Sequence, residues 1–202
     1  MRCLLAPGIT VYPADAAKPS LQPGGLAFAQ FPQNKACAAV FGDGSHPTTR
    51  LCAGALDQLC RHRQPRAVLD VGTGTGVLAR IARARGATFV AGTDIDSGAV
   101  SFARAHADLD AHPLEIQFSQ GAPDHWGMRF DLVVANILEE ALRQLAPSLI
   151  RALLPGGVLL LSGFTRPQAP ALRSVYEGAG LTFVRDSRLE EWVLLMFTRA
   201  DC

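Results

Sequence analysis

A group of glycines followed by an acidic residue is the pattern in this chain that best indicates chemistry. Gly72, Gly74 and Gly76 follow the apolar run 68–71, and Asp94 closes the next apolar run. Glycines let a bound ligand approach the backbone closely, and a carboxylate at this place accepts hydrogen bonds from ribose hydroxyls. The pattern therefore predicts a nucleoside site at the ends of two neighbouring parallel strands.

The spacing of these glycines argues against two common nucleotide motifs. A dinucleotide fingerprint reads G-x-G-x-x-G, but Val77 stands where its third glycine would lie. A phosphate-binding P-loop needs a Gly-Lys-Ser/Thr sequence, and no lysine lies near this turn. The motif favours a ligand that is held through its ribose, with a NAD-type or degenerate site as the alternative.

Asn136 is the side chain that we expect nearest to the reacting atoms. It follows the apolar run 131–135, and ligands of open α/β sheets lie at the carboxyl ends of such strands. Its amide oxygen can accept the N–H bonds of an amine and so aim the nitrogen lone pair at an electrophilic carbon. The alternative is that Asn136 only caps the helix that follows.

Strands and helices alternate beyond residue 66, and this alternation predicts how these residues are positioned. Strands are predicted at 67–71, 88–93, 114–119, 131–135 and 158–162, and helices at 47–63, 75–85, 97–108, 139–153 and 168–179. Segments 183–188 and 192–198 are too close for a crossover helix, so they should pair as an antiparallel hairpin. The order predicts a Rossmann-like, doubly wound α/β fold with a mostly parallel sheet of seven strands.

The length, composition, net charge and cysteine content of the chain indicate an ordinary folded protein. The chain has 202 residues, of which 49% are apolar and 18% charged. Its net charge of +1 argues against a large nucleic-acid footprint. The five cysteines include no C-x-x-C pair, so no metal site is expected and a reducing cytoplasm is the plain interpretation. No long apolar run predicts a membrane span.

The first forty residues differ in character from the rest. Residues 1–40 are rich in proline, glycine and alanine, with one short strand candidate at 9–12. We expect them to form an arm or lid, and we expect residues 41–202 to form the single α/β domain.

Further motifs carry a resemblance to a known family. They are Phe41-Gly-Asp-Gly-Ser-His-Pro-Thr-Thr49, Asp131-Leu-Val-Val-Ala-Asn-Ile-Leu138 and Leu154-Pro-Gly-Gly-Val-Leu-Leu-Leu-Ser-Gly163. Together with the glycine turn, they closely resemble the bacterial ribosomal protein L11 methyltransferases, over residues 41 to about 199. The resemblance implies the class I methyltransferase fold, S-adenosyl-L-methionine as cofactor, and a lysine or N-terminal amine of a protein as acceptor.

The resemblance also implies which residues contact the cofactor. The expected contacts are His46, Thr48, Asp70, Gly72, Thr73, Gly74, Gly76, Asp94, Ile95 and Asn136. Asn136 would orient the acceptor amine, and Ile95 would lie against the adenine. His46 and Thr48 would lie over the methionine end, and the alternative for His46 is a plain helix start before Pro47. The adenine amino group would find a partner in the backbone near 121–122 or in Asp124.

The chain departs from the family pattern at two places. The family carries an N-terminal substrate-recognition domain, which residues 1–40 do not supply, and Asp43 replaces its threonine. Two alternatives therefore stay open: a methyltransferase acting on a small-molecule amine, and a cofactor-binding protein without turnover. Methylation of a flipped base is not favoured, since Ile137 and Leu138 follow Asn136 in place of Pro-Pro-aromatic. Trp126 either lines the substrate pocket or packs a loop on the core.

Overall fold

The computed structural model describes residues 3–30, 41–109 and 115–201, and it confirms the α/β class. The strands are β1 (Cys3–Ala6), β2 (Ile9–Pro13), β3 (Leu26–Gln30), β4 (Ala67–Val71), β5 (Phe89–Asp94), β6 (Gln117–Gln120), β7 (Phe130–Asn136), β8 (Leu153–Thr165), β9 (Leu181–Leu189) and β10 (Trp192–Arg199). The helices are α1 (Pro47–Arg63), α2 (Val77–Ala84), α3 (Ser97–Ala107), α4 (Glu139–Arg151) and α5 (Ala169–Gly178), with short 3₁₀ turns at Pro123–Trp126 and Arg166–Gln168. Leu114, the predicted start of the third strand, lies outside the described residues.

The main sheet has seven strands in the order β6-β5-β4-β7-β8-β10-β9. Strands β4 to β8 pair in parallel, whereas β10 runs antiparallel to both of its neighbours, which confirms the predicted closing hairpin. The chain proceeds outward from β4 to β5 and β6, and then returns to β7 on the other side of β4. This reversal leaves a crevice between the helices beyond the carboxyl ends of β4, β5 and β7, where ligands of such sheets bind.

Two apolar cores cover the two faces of this sheet. Successive residues of β4 alternate between them: Val68 packs with α1, α2 and α3, and Leu69 packs with α4 and α5. Both residues are fully buried, as expected for a parallel strand that is covered on each side. The sheet is therefore a rigid platform for the residues at its edge.

Residues 3–30 form more regular structure than the sequence predicted. Strands β1, β2 and β3 make a separate three-stranded sheet, hereafter the N-terminal sheet, with β1–β2 antiparallel and β2–β3 parallel. Its Leu5, Ile9, Val11 and Phe28 are buried in the same core as α1 and α2. The predicted strand at 9–12 is confirmed as β2, whereas β1 and β3 were not predicted. The division at residue 40 stays a prediction, because residues 31–40 lie outside the described residues.

Some predicted boundaries shift where glycine turns intervene. Helix α2 begins at Val77 and not at residue 75, because Gly76 takes a left-handed conformation (φ 77°) at its N-terminus. Strand β8 begins at Leu153, five residues before its predicted start at 158, and Gly156 within it has a φ of 70°. Within the described residues, no helix is long and apolar enough to cross a membrane.

Candidate active site

A cavity of about 650 Å³, hereafter the central cavity, opens at the carboxyl ends of β4, β5 and β7. This volume lies in the range of small-molecule and cofactor sites. Most of the predicted contact residues line it, namely His46, Thr48, Gly72, Gly74, Asp94, Ile95 and Asn136. The other predicted contacts, Asp70, Thr73 and Gly76, are buried behind its wall. The topology has therefore brought together side chains that lie far apart in sequence.

The glycines of the turn at 72–76 make room for neighbouring segments of the protein itself. Gly72, Gly74 and Gly76 all have positive φ, at 70°, 52° and 77°. A Cβ on Gly72 would lie 2.1 Å from the Ile137 side chain, and one on Gly74 would lie 2.2 Å from the Phe41 carbonyl oxygen. Both the positive φ values and the lack of space for a Cβ therefore require glycine at positions 72 and 74.

Asp94 is held in a fixed orientation at the cavity wall. Its Oδ2 accepts the Gly74 N–H at 3.1 Å, and its Oδ1 accepts the Asp96 N–H at 3.1 Å. A carboxylate oxygen has more than one lone pair, so both oxygens can accept a further hydrogen bond. The cap of α3 is instead Asp96, which accepts the Gly98 N–H at 2.8 Å. Asp94 therefore remains available to hydroxyl donors in the cavity.

Asp70 supports the glycine turn from behind. Its Oδ2 accepts the Thr73 hydroxyl at 2.7 Å and the Ala79 N–H at 3.3 Å, which ties the turn to α2. Its Oδ1 has no hydrogen-bond partner among the described residues. Burial raises the pKa of Asp70 to about 7, against the lowering effect of these hydrogen bonds. The acid at the end of β4 thus has a structural environment distinct from that of Asp94.

Asn136 presents an unpaired acceptor at the cavity wall. Its side chain is 8% exposed, and its Nδ2 donates to the Thr49 hydroxyl over a long 3.4 Å. Its Oδ1 has no partner among the described residues. Helix α4 has no side-chain cap, since Leu138 is its N-cap residue, so the capping alternative for Asn136 was wrong. An unpaired buried acceptor costs about 1–3 kcal/mol, which a donor on a ligand would recover.

An aromatic group forms another part of the wall. The His46 ring lies edge-on to Trp192 at 4.6 Å and to Phe41 at 5.1 Å between ring centroids. His46 also caps α1 by accepting the Thr48 N–H at 3.3 Å, which confirms the interpretation of this residue as a helix start. Its place at the methionine end of a cofactor stays a prediction. Trp192 and Phe41 were missed as site residues. Trp192 could have been found, because an antiparallel strand begins at the edge where parallel strands end.

Other predicted side chains lie outside the cavity. Asp43 accepts the Ser45 N–H at 2.9 Å and the Ser45 hydroxyl at 2.7 Å in a local turn. Trp126 packs edge-on against Phe89 at 6.4 Å, which confirms the core-packing alternative. Asp124 accepts from Arg151 at 2.8 Å, and this pairing lowers its pKa.

The described residues outside the central cavity offer neither a metal site nor a second group of predicted site residues. Among residues 3–30, 41–109 and 115–201, no group of three or more His, Cys, Asp and Glu side chains could hold a metal ion. A second cavity of about 440 Å³ lies at the opposite edge of the sheet, between the end of α1 and the turn at 155–157. None of the predicted site residues lines it.

Comparison with known proteins identifies the family. The family model "Ribosomal protein L11 methyltransferase (PrmA)" matches residues 37–200. The chain belongs to this family. The ribosomal protein L11 methyltransferase of Syntrophotalea carbinolica is 41% identical over 161 residues, which make up 79% of this chain and 52% of that protein. The corresponding protein of Dechloromonas aromatica is 43% identical over 156 residues, or 77% of this chain and 51% of that protein.

A solved structure of the family shows the same architecture. The ribosomal protein L11 methylase from Lactobacillus delbrueckii subsp. bulgaricus superimposes with a TM-score of 0.86 at 27% identity, and the match covers 98% of each chain. By contrast, the present chain spans about half the length of the curated relatives it matches. L11 methyltransferases are S-adenosylmethionine-dependent enzymes. In the central cavity of the present chain, a backbone N–H fixes the Asp94 carboxylate, and the Asn136 amide oxygen has no partner among the described residues.

Proposed function

We propose that the central cavity binds S-adenosylmethionine. The Asp94 carboxylate would accept the ribose hydroxyls, and exposed Ile95 would cover the adenine. The backbone of 121–123 lines the adenine end, where Asp124 is already paired with Arg151. His46 and Thr48 would lie at the methionine end. Asp70 and Thr73 support this arrangement from behind the wall through their mutual hydrogen bond.

The unpaired Oδ1 of Asn136 is the observation that carries the proposed chemistry. When bound, the cofactor supplies a methyl group on a positively charged sulfur, and transfer forms a C–N bond as the C–S bond breaks. An amine N–H donated to Asn136 Oδ1 fixes the direction of the nitrogen lone pair. Such alignment is worth roughly 7–11 kcal/mol of a barrier in favourable cases. An amine has N–H donors that fit this hydrogen-bond acceptor, so we propose that the methyl group is transferred to an amine.

The amine must be neutral when it reacts. Removal of a lysine side chain from water disfavours its charged form, and this lowers its pKa in the direction the reaction needs. The aromatic group of Phe41, His46 and Trp192 supplies an apolar wall for that purpose. No covalent intermediate with the protein is required.

We further propose that the amine belongs to a protein. Leu138 and Ile95 at the cavity wall are 77% and 85% exposed, and the described residues of the N-terminal sheet do not line the cavity. An exposed apolar rim of this kind suits a side chain carried by a second protein. Ribosomal protein L11 is the first acceptor to test, because it appears in the names of the relatives.

Two experiments test the proposal. Calorimetry with S-adenosylhomocysteine measures whether the cavity binds the reaction product, and absence of binding would overturn the proposal. Incubation of the protein with a radiolabelled methyl donor, together with purified L11 or a cell lysate, then identifies the acceptor. A labelled protein band supports the proposal. If the label is found solely in low-mass products, the acceptor is a small-molecule amine. If S-adenosylhomocysteine binds but nothing is labelled, the chain is a cofactor-binding protein without turnover.

A further inference from the structure

The loop at 41–46 forms part of the central cavity without any helix or strand of its own. Phe41 and His46 are its two cavity-lining side chains, and they lie at its two ends. The residues between them include Gly42 and Gly44, whose φ values of 108° and 91° are open to glycine but strained for other residues. The positions of the Phe41 and His46 rings in the cavity wall therefore depend on the contacts that hold this loop.

The glycine turn holds the loop from one side. The Thr75 N–H donates to the Phe41 carbonyl at 3.1 Å, and the Thr75 hydroxyl donates to the Gly42 carbonyl at 2.7 Å. A Cβ on Gly74 would lie 2.2 Å from the Phe41 carbonyl oxygen, so the two backbones are in direct contact. The 41–46 loop and the glycine turn thus form one continuous part of the cavity wall.

The N-terminal sheet holds the loop from the other side. The Gln30 Nε2 donates to the Gly42 carbonyl at 3.3 Å, and the Cys3 thiol donates to the Gly44 carbonyl at 3.1 Å. Burial raises the pKa of the Cys3 thiol, which keeps its donor proton at neutral pH. A Cβ on Gly44 would lie 2.6 Å from the Leu5 side chain, so the loop also packs directly on the sheet.

The Gln30 residue is itself held in place, by its burial and by backbone hydrogen bonds. It ends β3, its side chain is only 8% exposed, and its carbonyl accepts the Ala14 N–H at 2.7 Å. The preceding Ala29 carbonyl accepts a hydrogen bond from buried Arg80 of α2 at 2.9 Å. The Gly42 carbonyl therefore receives donors from two directions, from Gln30 and from the glycine turn.

We propose that Gln30 is a positioning residue for the cofactor site. Its amide fixes the Gly42 carbonyl, and this places Phe41 and His46 as cavity wall. The inference rests on the proposed function of the cavity, and it gives the N-terminal sheet an indirect role in that site, through the 41–46 loop.

The test compares Gln30→Leu with Ile9→Val, a core change elsewhere in the same sheet. Ile9 is fully buried in the core that the N-terminal sheet shares with α1 and α2, so its variant is the control for loss of core packing. We expect Gln30→Leu to weaken S-adenosylhomocysteine binding about three- to tenfold, the usual effect of one lost hydrogen bond. Ile9→Val should lower the unfolding midpoint and leave that affinity within twofold. Equal weakening by both variants, or none by Gln30→Leu, would overturn the inference.

A second measurement needs no ligand. The chain has two tryptophans, and Trp126 has an indole N–H without a partner among the described residues, so Trp126→Phe is a mild change. In that background the fluorescence reports Trp192, which touches His46 of the loop. Gln30→Leu should shift this emission and Ile9→Val should not, and an unchanged spectrum would contradict the positioning role. If the parent protein binds no S-adenosylhomocysteine, the proposed function fails, while this readout still tests Gln30.

Discussion

The two ends of the central cavity differ in how their polar groups are satisfied. At the end proposed to hold the ribose, both oxygens of Asp94 already accept backbone N–H bonds, which fix the carboxylate before any ligand arrives. At the end proposed to hold the methyl acceptor, Asn136 keeps a buried oxygen without a partner among the described residues. The first arrangement favours binding, because little needs to be ordered when the ligand enters. The second stays incomplete until a substrate donor is present, which suits a group that acts on the reaction.

The largest effect is expected from Asn136→Ala. Loss of the amide removes the group that orients the acceptor, so turnover should fall by roughly a hundredfold or more. The affinity for S-adenosylhomocysteine should change less than about threefold, because Asp94 and the glycine turn remain. Methyl transfer and calorimetry measure the two quantities. Thr49→Val is the matched control, since it removes the long hydrogen bond that Thr49 accepts from Asn136 and leaves the Asn136 amide oxygen in place. Equal losses of turnover and affinity would mean that Asn136 merely shapes the cavity.

Asp94→Ala should have the complementary effect. Loss of the charged acceptor should weaken S-adenosylhomocysteine binding by roughly ten- to a hundredfold, the range for hydrogen bonds to charged groups. Asp96→Ala is the comparison variant, because Asp96 also lines the cavity and carries the same charge, but its side chain caps α3. That variant should lose about 1 kcal/mol of stability and weaken binding less than Asp94→Ala does. Unchanged binding in Asp94→Ala would remove Asp94 from the ribose site.

The smallest expected effect is a change in the free energy of unfolding that comes from Asp70, the buried acid behind the cavity wall. Because burial raises the pKa of Asp70 to about 7 in the folded protein, folding takes up a proton below that pH. The stability from the protonated form is fully present below about pH 4 and is lost as pH rises through 7. Asp70→Asn cannot ionise, so its stability relative to wild type should increase by about 1 kcal/mol from pH 6 to pH 8. Chemical denaturation at both pH values measures this difference, and a constant difference would contradict the raised pKa.

The Asp70→Asn variant also tests whether Asp70 supports the cavity wall from behind or contacts the ligand directly. Asp70 lies behind the cavity wall, so Asp70→Asn should bind S-adenosylhomocysteine within a few-fold of wild type. A loss as large as that of Asp94→Ala would show that Asp70 takes part in binding directly, as the sequence predicted.

The sequence was sufficient to place Asp94 and Asn136 beside one cavity, because both residues lie at the ends of strands. Local apolar runs locate β4, β5 and β7, and a parallel topology then brings Asp94 and Asn136 to one edge. The N-terminal sheet could not be predicted in the same way. Its strands have only four or five residues each, and their pairing is fixed by contacts with α1 and α2. The raised pKa of Asp70 likewise follows from burial by distant segments.

One measurement tests the central claim most directly: a crystal structure of the protein soaked with S-adenosylhomocysteine. We predict density in the central cavity, with the ribose hydroxyls on the Asp94 carboxylate and the sulfur facing the side that carries Asn136. A cavity that stays empty at saturating ligand, or a ligand bound only in the second cavity at the opposite edge of the sheet, would contradict the account.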